Sequence, residues 1–327
     1  MSEHIMSKTQ SGKKYKQRDG IVAIKDGIKI QKITTNKTAP IKPNWFKVPL
    51  PRGTNFHDLK SIVSEYRLNT VCEESKCPNI GECWNNRTAT LMVLGSVCTR
   101  ACQFCAVDTG NPNGWLDSHE PEHIAKTVAF MNLDYVVITS VDRDDLEDGG
   151  VTHIASCVLE TKALCPTVTV EVLSPDFGGN LDHLDILLNS GLDVLSQNLE
   201  TVERLTSRVR DPRAGYEQTL KVLEHAAQRD VITKSSLMLG LGETVEEMKQ
   251  TMTDLFNSGV EILTLGQYLR PTVNHLPVEQ YISPETFREY EFLGHQIGLK
   301  EVVAGPLVRS SYRADQSYKR LNTITND

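Results

Sequence analysis

The chain has 327 residues, 39% apolar and 24% charged, with a formal net charge of −7. That length suits one large domain with appendages or two modest ones, and the apolar content supports a sizeable core. No apolar run approaches the roughly 18 residues of a spanning helix, and the Lys-dotted amino end lacks the apolar stretch of a secretory signal. The body is acidic and carries no recognised nucleic-acid module, so the expectation is a soluble, cytoplasmic protein without membrane or nucleic-acid partners.

Residues 1–48 hold 11 Lys or Arg against 3 acids, which leaves −15 for the rest. Residues 1–40 are polar and weakly periodic and are expected to form a basic, flexible arm. Such an arm is suited to steering an acidic partner. Pro40, Pro43, Pro49, Pro51 and Gly53 punctuate an extended connector, in which Trp45 and Phe46 are expected to anchor the chain onto the body. An amphipathic helix follows over 55–68, from Leu59, Ile62, Val63 and Tyr66.

Six of the eight cysteines fall between Cys72 and Cys105, where uniform scatter would put roughly 0.8. Without a secretion signal this clustering reads as metal binding rather than disulfides. Cys72, Cys77 and Cys83 form one trio, and Pro78 and Gly81 within it predict a turning loop instead of a helix. Cys98, Cys102 and Cys105 form a tighter Cys-x3-Cys-x2-Cys trio after the apolar segment 88–95. Three thiolates hold three corners of a cubane and leave one iron free for a reacting ligand. Zinc uses similar spacings, with His57, His119 or His123 as candidate fourth ligands. Cys157 and Cys165 read as buried structural thiols on a helix.

Beyond Cys105 the chain alternates. Short β-branched runs at 134–140 (DYVVITS), 167–173, 193–197, 232–239 and 261–265 are separated by helical patterns at 121–131, 151–164, 216–228 and 244–257. Repeated βα units imply a parallel sheet with right-handed crossovers. With 88–95 as the first strand the count is six, a partial (βα)6 barrel, and functional groups belong at the carboxyl ends of its strands. Polar residues recur there: 142–145 (DRDD), Glu171, the 197–200 run QNLE, and the loop 240–244 (GLGET). The expected organisation is an arm over 1–40, an extension with the first trio over 41–87, the barrel over 88–300 after a last helix at 283–298, and a tail over 301–327. The tail carries the segment RSSYR at 309–313.

The second trio in its strand-then-loop setting resembles the radical S-adenosylmethionine enzymes. Together, CEESKCPNIGEC, CTRACQFC, VVITSVDRDDLEDGG, VEVLSPDF, QNLETV, LMLGLGET, LTLGQYLRP and VRSSYRA resemble the lipoyl synthase family over most of 42–314. The resemblance implies a 4Fe-4S cluster on Cys98, Cys102 and Cys105 that reduces S-adenosylmethionine to a 5'-deoxyadenosyl radical. It implies Phe104 at the adenine, Asn198 and Glu200 at the ribose and Arg210 at the carboxylate of that molecule. A second, auxiliary 4Fe-4S cluster on Cys72, Cys77 and Cys83, with a serine ligand taken as Ser311 over Ser310, is implied as the consumed sulfur source. The implied reaction puts sulfur at C6 and C8 of an octanoyl chain on a carrier lysine. The implied partners are octanoylated lipoyl carrier domains (2-oxoacid dehydrogenase E2, glycine cleavage H protein), a flavodoxin- or ferredoxin-type reductant and an iron-sulfur carrier. Gln197 departs from the family's histidine and bears on a contact behind the ligands. The alternatives are a radical enzyme that oxidises or sulfurates another substrate, and a non-catalytic iron-sulfur protein.

Overall fold

The computed structural model describes residues 9–17, 20–29, 41–47, 53–66, 68–74, 77–85 and 88–324. In chain order its strands are β1 (Lys14–Lys16), β2 (Val22–Ile24), β3 (Asn69–Thr70), β4 (Ala89–Val93), β5 (Val97–Cys98), β6 (Asp108–Gly110) and β7 (Tyr135–Ser140). They continue as β8 (Thr169–Leu173), β9 (Val194–Ser196), β10 (Ile232–Leu239), β11 (Ile262–Gln267) and β12 (Glu301–Gly305).

The main sheet runs β12-β11-β10-β9-β8-β7-β4-β3. All its pairs are parallel except β3 with β4, so seven parallel strands stand where six were expected. The extra strand is β12, a five-residue run ending in Ala304 and Gly305 whose β character comes from pairing with β11. Val136, Ile138, Val170, Val172 and Leu195 pack in a core that includes Ile124 and Val128 of helix Glu120–Met131 and Ile154 and Val158 of helix Val151–Leu164. Strand alternation then turns Thr90, Val137, Glu171, Ser196, Lys234 and Thr264 to the opposite, interior face.

Edges β12 and β3 leave the sheet open, and the carboxyl-terminal segment bridges that side. Ser311 meets Thr90 of β4, Ala314 packs on Tyr135 and Val137 of β7, and Arg320 of helix Ala314–Ile324 pairs with Glu301 of β12. Gly266 of β11 admits this segment, since a Cβ there would lie 2.1 Å from the Val308 carbonyl oxygen.

Two expectations are corrected. The described part of the arm is not loose: β1 and β2 form a hairpin that continues through β6 to β5 in a second sheet. The phenol of Tyr15 and the amide of Asp26 both donate to Asp108, which is why a polar, weakly periodic stretch holds a fixed shape. Residues 1–8, 18–19 and 30–40 of the arm, with Pro40, Pro49 and Pro51 of the connector, lie outside the described residues. The first trio is not a plain loop either. Cys72 lies on helix Val71–Glu74 and Cys83 on helix Ile80–Asn85, with Pro78 confined to the turn between them. Of the two aromatics expected to anchor the connector, Phe46 does so, buried against Tyr281 at 5.3 Å between ring centroids, whereas Trp45 is exposed.

Candidate active site

β5 and the loop after it carry the second trio, and the loop is fastened to the segment after β7 and to the end of helix Glu203–Val209. Thr99 N donates to the Asp142 carbonyl at 3.0 Å, Gln103 N to that of Val209 at 2.8 Å, and Ala101 N to Asp211 Oδ2 at 2.8 Å. The sulfurs themselves receive backbone donors: Arg100 N to Cys98 Sγ at 3.4 Å and Asp211 N to Cys102 Sγ at 3.3 Å. Arg100, 4% exposed, reaches Asp142, Asp144 and Asp176 at 3.4, 2.9 and 2.8 Å and so ties the loop to the ends of β7 and β8. The acidic stretch 142–145 is thus an anchor for the loop.

Burial pushes the Cys98 thiol well above its usual range, Cys102 up to about 12, and Cys105 upward. Neighbouring thiols reinforce the rise for Cys102, and Asp142 reinforces it for Cys98. Thiols in this state ionise when a metal supplies the opposing charge. All eight cysteines are free. Among the described residues no three His, Cys, Asp or Glu side chains form a single-ion site. His119 and His123 stack on one another, and His123 on Tyr66.

Beside this loop, Asn198 Nδ2 donates to Glu200 Oε1 at 3.1 Å, and Arg210 donates to the Leu199 carbonyl and to Thr219 Oγ1. Glu200 sits at φ 71°, fixed by Glu200 N to the Ser236 carbonyl at 3.0 Å and Met238 N to the Glu200 carbonyl at 2.9 Å. Burial raises its carboxyl and Arg210 opposes the rise. Asn198 Oδ1 has no partner among the described residues, so the group has spare polar capacity for a ligand. Phe104 packs against the core of the β10–β12 half. Gln197 donates its amide N–H to the Lys234 carbonyl at 3.0 Å, while both side-chain amide atoms lack partners. On the next loop Glu243 accepts from Gly240 N and Leu241 N, and Thr244 caps helix Val245–Asn257.

The first trio meets the tail. Cys77 N donates to the Cys72 carbonyl at 3.0 Å, and Asn79 Nδ2 to the Leu307 carbonyl at 2.6 Å. Ser311 Oγ lies 2.9 Å from Thr90 Oγ1, and the Thr90 backbone is in turn a hydrogen-bonding neighbour of Cys72. Glu82 pairs with Arg313, and Arg309 lies near Cys77. Burial raises Cys72 and Cys83 to about 12, with thiol neighbours adding to the effect, and lifts Cys77 too. Cys157 is buried on helix Val151–Leu164, whereas Cys165 caps its end and is only half-buried.

A family profile for the radical SAM superfamily matches residues 92–255, and one for the N-terminal domain of lipoyl synthase of the radical SAM family matches 12–77. The lipoyl synthase of Marinobacter nauticus is 57% identical over 325 residues, covering 98% of this chain and 93% of that protein. That of Ectopseudomonas mendocina is 58% identical over 314 residues, covering 95% and 90%. The chain belongs to the lipoyl synthase family. It is therefore a sulfur-inserting radical S-adenosylmethionine enzyme that uses S-adenosylmethionine and two 4Fe-4S clusters. The FeFe-hydrogenase maturase of Carboxydothermus hydrogenoformans aligns at TM-score 0.52 and 13% identity, covering 82% of this chain and 78% of that one. A Streptococcus suis protein bound to its precursor peptide aligns at TM-score 0.52 and 11% identity, covering 76% and 52%. Both share the partial-barrel architecture.

In this lipoyl synthase fold the expected residues fall in two groups, one around Cys98 to Cys105 with Asn198, Glu200 and Arg210, the other around Cys72 to Cys83, where Ser311 is held by Thr90, itself next to Cys72. Arg100 was missed in the sequence, where its place as the one cation inside the cysteine run was the available signal. Lys29 and His275, which hold the carbonyl oxygens of that run, come from residues distant in sequence, and no local signal marks them.

Proposed function

We propose that this enzyme converts an octanoyl-lysine on a carrier domain to lipoyl-lysine, with the reducing cluster on Cys98, Cys102 and Cys105 and the auxiliary cluster on Cys72, Cys77, Cys83 and Ser311. Carbons C6 and C8 of the chain are unactivated, and no side-chain base has a pKa suited to removing their hydrogens. When bound, the clusters and S-adenosylmethionine supply the radical that removes each hydrogen and the sulfur that replaces it.

The chain's own residues bind and orient. Glu200 and Asn198 offer a carboxylate and an amide to the ribose hydroxyls, and Arg210, beside Glu200, offers its guanidinium to the methionine carboxylate. Phe104 supplies an apolar wall against the adenine and keeps water out. Ser311 would hold the auxiliary cluster through its hydroxyl oxygen, and Arg309 near Cys77 contributes positive charge that favours ionised ligands.

The observation that supports this reading is the docking of the tail beside the first trio, through Asn79 Nδ2 to the Leu307 carbonyl and Thr90 Oγ1 to Ser311 Oγ. The partners we assign are octanoylated E2 and H-protein domains, a flavodoxin- or ferredoxin-type reductant and an iron-sulfur carrier, in the cytoplasm. No helix among the described residues is long and apolar enough to cross a membrane. Replacing Ser311 by Ala should abolish sulfur insertion and lower the iron content while 5'-deoxyadenosine still forms, and Ser310→Ala should do neither. The reverse pattern would refute the ligand assignment.

A further inference from the structure

Side chains of β6 pin residues 26–29. Asp26 N donates to Asp108 Oδ1 at 2.7 Å and Ile28 N to Thr109 Oγ1 at 2.9 Å. Gly27, at φ 74°, makes the turn between them, and a Cβ there would meet the Val107 carbonyl oxygen at 3.1 Å. The turn delivers Lys29, whose Nζ donates to the carbonyl oxygens of Cys102 at 3.0 Å and Cys105 at 2.7 Å. From the loop after β11, fully buried His275 places Nε2 at 3.0 Å from the same Cys105 oxygen. A carbonyl only accepts, so Nε2 carries the proton and Nδ1 accepts from Thr272 Oγ1 at 2.8 Å. One backbone oxygen thus has two donors, one of them charged.

The charge on Arg100 is met by three carboxylates. Lys29 instead faces the three thiols of the loop and Asp26. Adding an electron to a group held by those thiols increases its negative charge, and a fixed cation nearby favours that state.

We infer that Lys29, backed by His275, is a positioning residue of the radical chemistry: it clamps the carbonyls of Cys102 and Cys105 and raises the reduction potential of the cluster, an inference that rests on the assignment of that cluster to Cys98, Cys102 and Cys105. The segment that follows the amino-terminal hairpin then serves electron acceptance.

The test is an anaerobic redox titration of the reconstituted full chain, following the paramagnetic signal that changes when S-adenosylmethionine is added. Lys29→Met should lower the ratio of reduced to oxidised cluster at a fixed potential by tenfold or more, which is about 59 mV for a one-electron couple. Lys29→Arg, which keeps the charge, should stay within about threefold of wild type. Equal midpoints for Lys29→Met and wild type would overturn the inference. A second readout avoids the cluster: in the metal-free full chain, backbone amides of 101–107 should exchange at least tenfold faster in Lys29→Met than in wild type, and equal exchange would overturn the clamp. A wild-type chain that forms no such signal would refute the cluster assignment itself, and the inference with it.

Discussion

Lys234 on β10 and Glu171 on β8 meet inside the barrel across β9, with side chains 2% and 1% exposed. Lys234 Nζ donates to both carboxylate oxygens at 2.9 Å, and Tyr135 OH donates to Oε2 at 2.5 Å. Replacing Lys234 by Met keeps the packing length but leaves a buried carboxylate with one neutral donor. Breaking a buried pair from one side costs about 3–5 kcal/mol, a large share of the roughly 5–15 kcal/mol that holds a domain together. In urea unfolding of the metal-free chain at pH 7, followed by far-UV circular dichroism, Lys234→Met should lower the midpoint by about 1 M or more. The triple variant Lys234→Met, Glu171→Leu, Tyr135→Phe removes charge and donors together and should return to within about 2 kcal/mol of wild type, as apolar replacement of buried ion pairs does. A single variant costing under about 1 kcal/mol, or a triple variant as unstable as the single, would refute this account of the barrel interior.

Three further outcomes follow from particular contacts. Gly266→Ala would push a methyl into the Val308 carbonyl, an overlap no side-chain rotation relieves; displacing the tail should cut sulfur insertion while 5'-deoxyadenosine formation persists, with a stability loss of about 1–3 kcal/mol read by thermal unfolding. Glu200→Gln removes the carboxylate beside Arg210 and Asn198, and calorimetric titration should show S-adenosylmethionine binding weakened by roughly tenfold or more at unchanged iron content. Glu247 is held down to about 2 by its hydrogen bonds with Arg204, then by the Thr244 cap, against about 4.3 in the unfolded chain. A folded pKa below the unfolded one stabilises above pH 4.3, and that contribution is lost as pH falls toward 2. Glu247→Gln should therefore unfold at a lower temperature than wild type at pH 7, with the gap narrowed at pH 3.

The barrel was legible because its strands are β-branched and its helices periodic, as in 134–140 and 151–164, where local preference and tertiary role agree. β12 was not, because its Ala304 and Gly305 carry no strand signal until β11 pairs with them. Helix Leu181–Leu188 has an Asn180 cap and buried Leu184 and Leu187, but its eight residues are too few for the period to stand out. The two short helices of the first trio were hidden by Pro78 and Gly81, which break the chain without forbidding a turn of helix on either side. The hairpin of the arm was hidden for another reason: Asp108, nearly a hundred residues on, supplies what its own side chains do not. The cysteines announced themselves through residue type and spacing, and the QNLE run as polar residues at a strand end, while the roles of Asn198 and Glu200 came from the family resemblance alone. Lys29 and His275 did not, since a lysine or histidine donating to a backbone carbonyl looks like any other until the fold brings it there.

In the proposed division of labour, hydrogen is removed at the second trio and sulfur is supplied at the first. Anaerobic turnover of reconstituted protein with an octanoyl-lysine peptide, S-adenosylmethionine and dithionite, read by mass spectrometry, tests it most directly. Wild-type protein should give peptide with two added sulfurs together with 5'-deoxyadenosine, and Cys77→Ala deoxyadenosine without sulfur. Deoxyadenosine from the wild-type chain with no sulfur on the peptide would contradict this division.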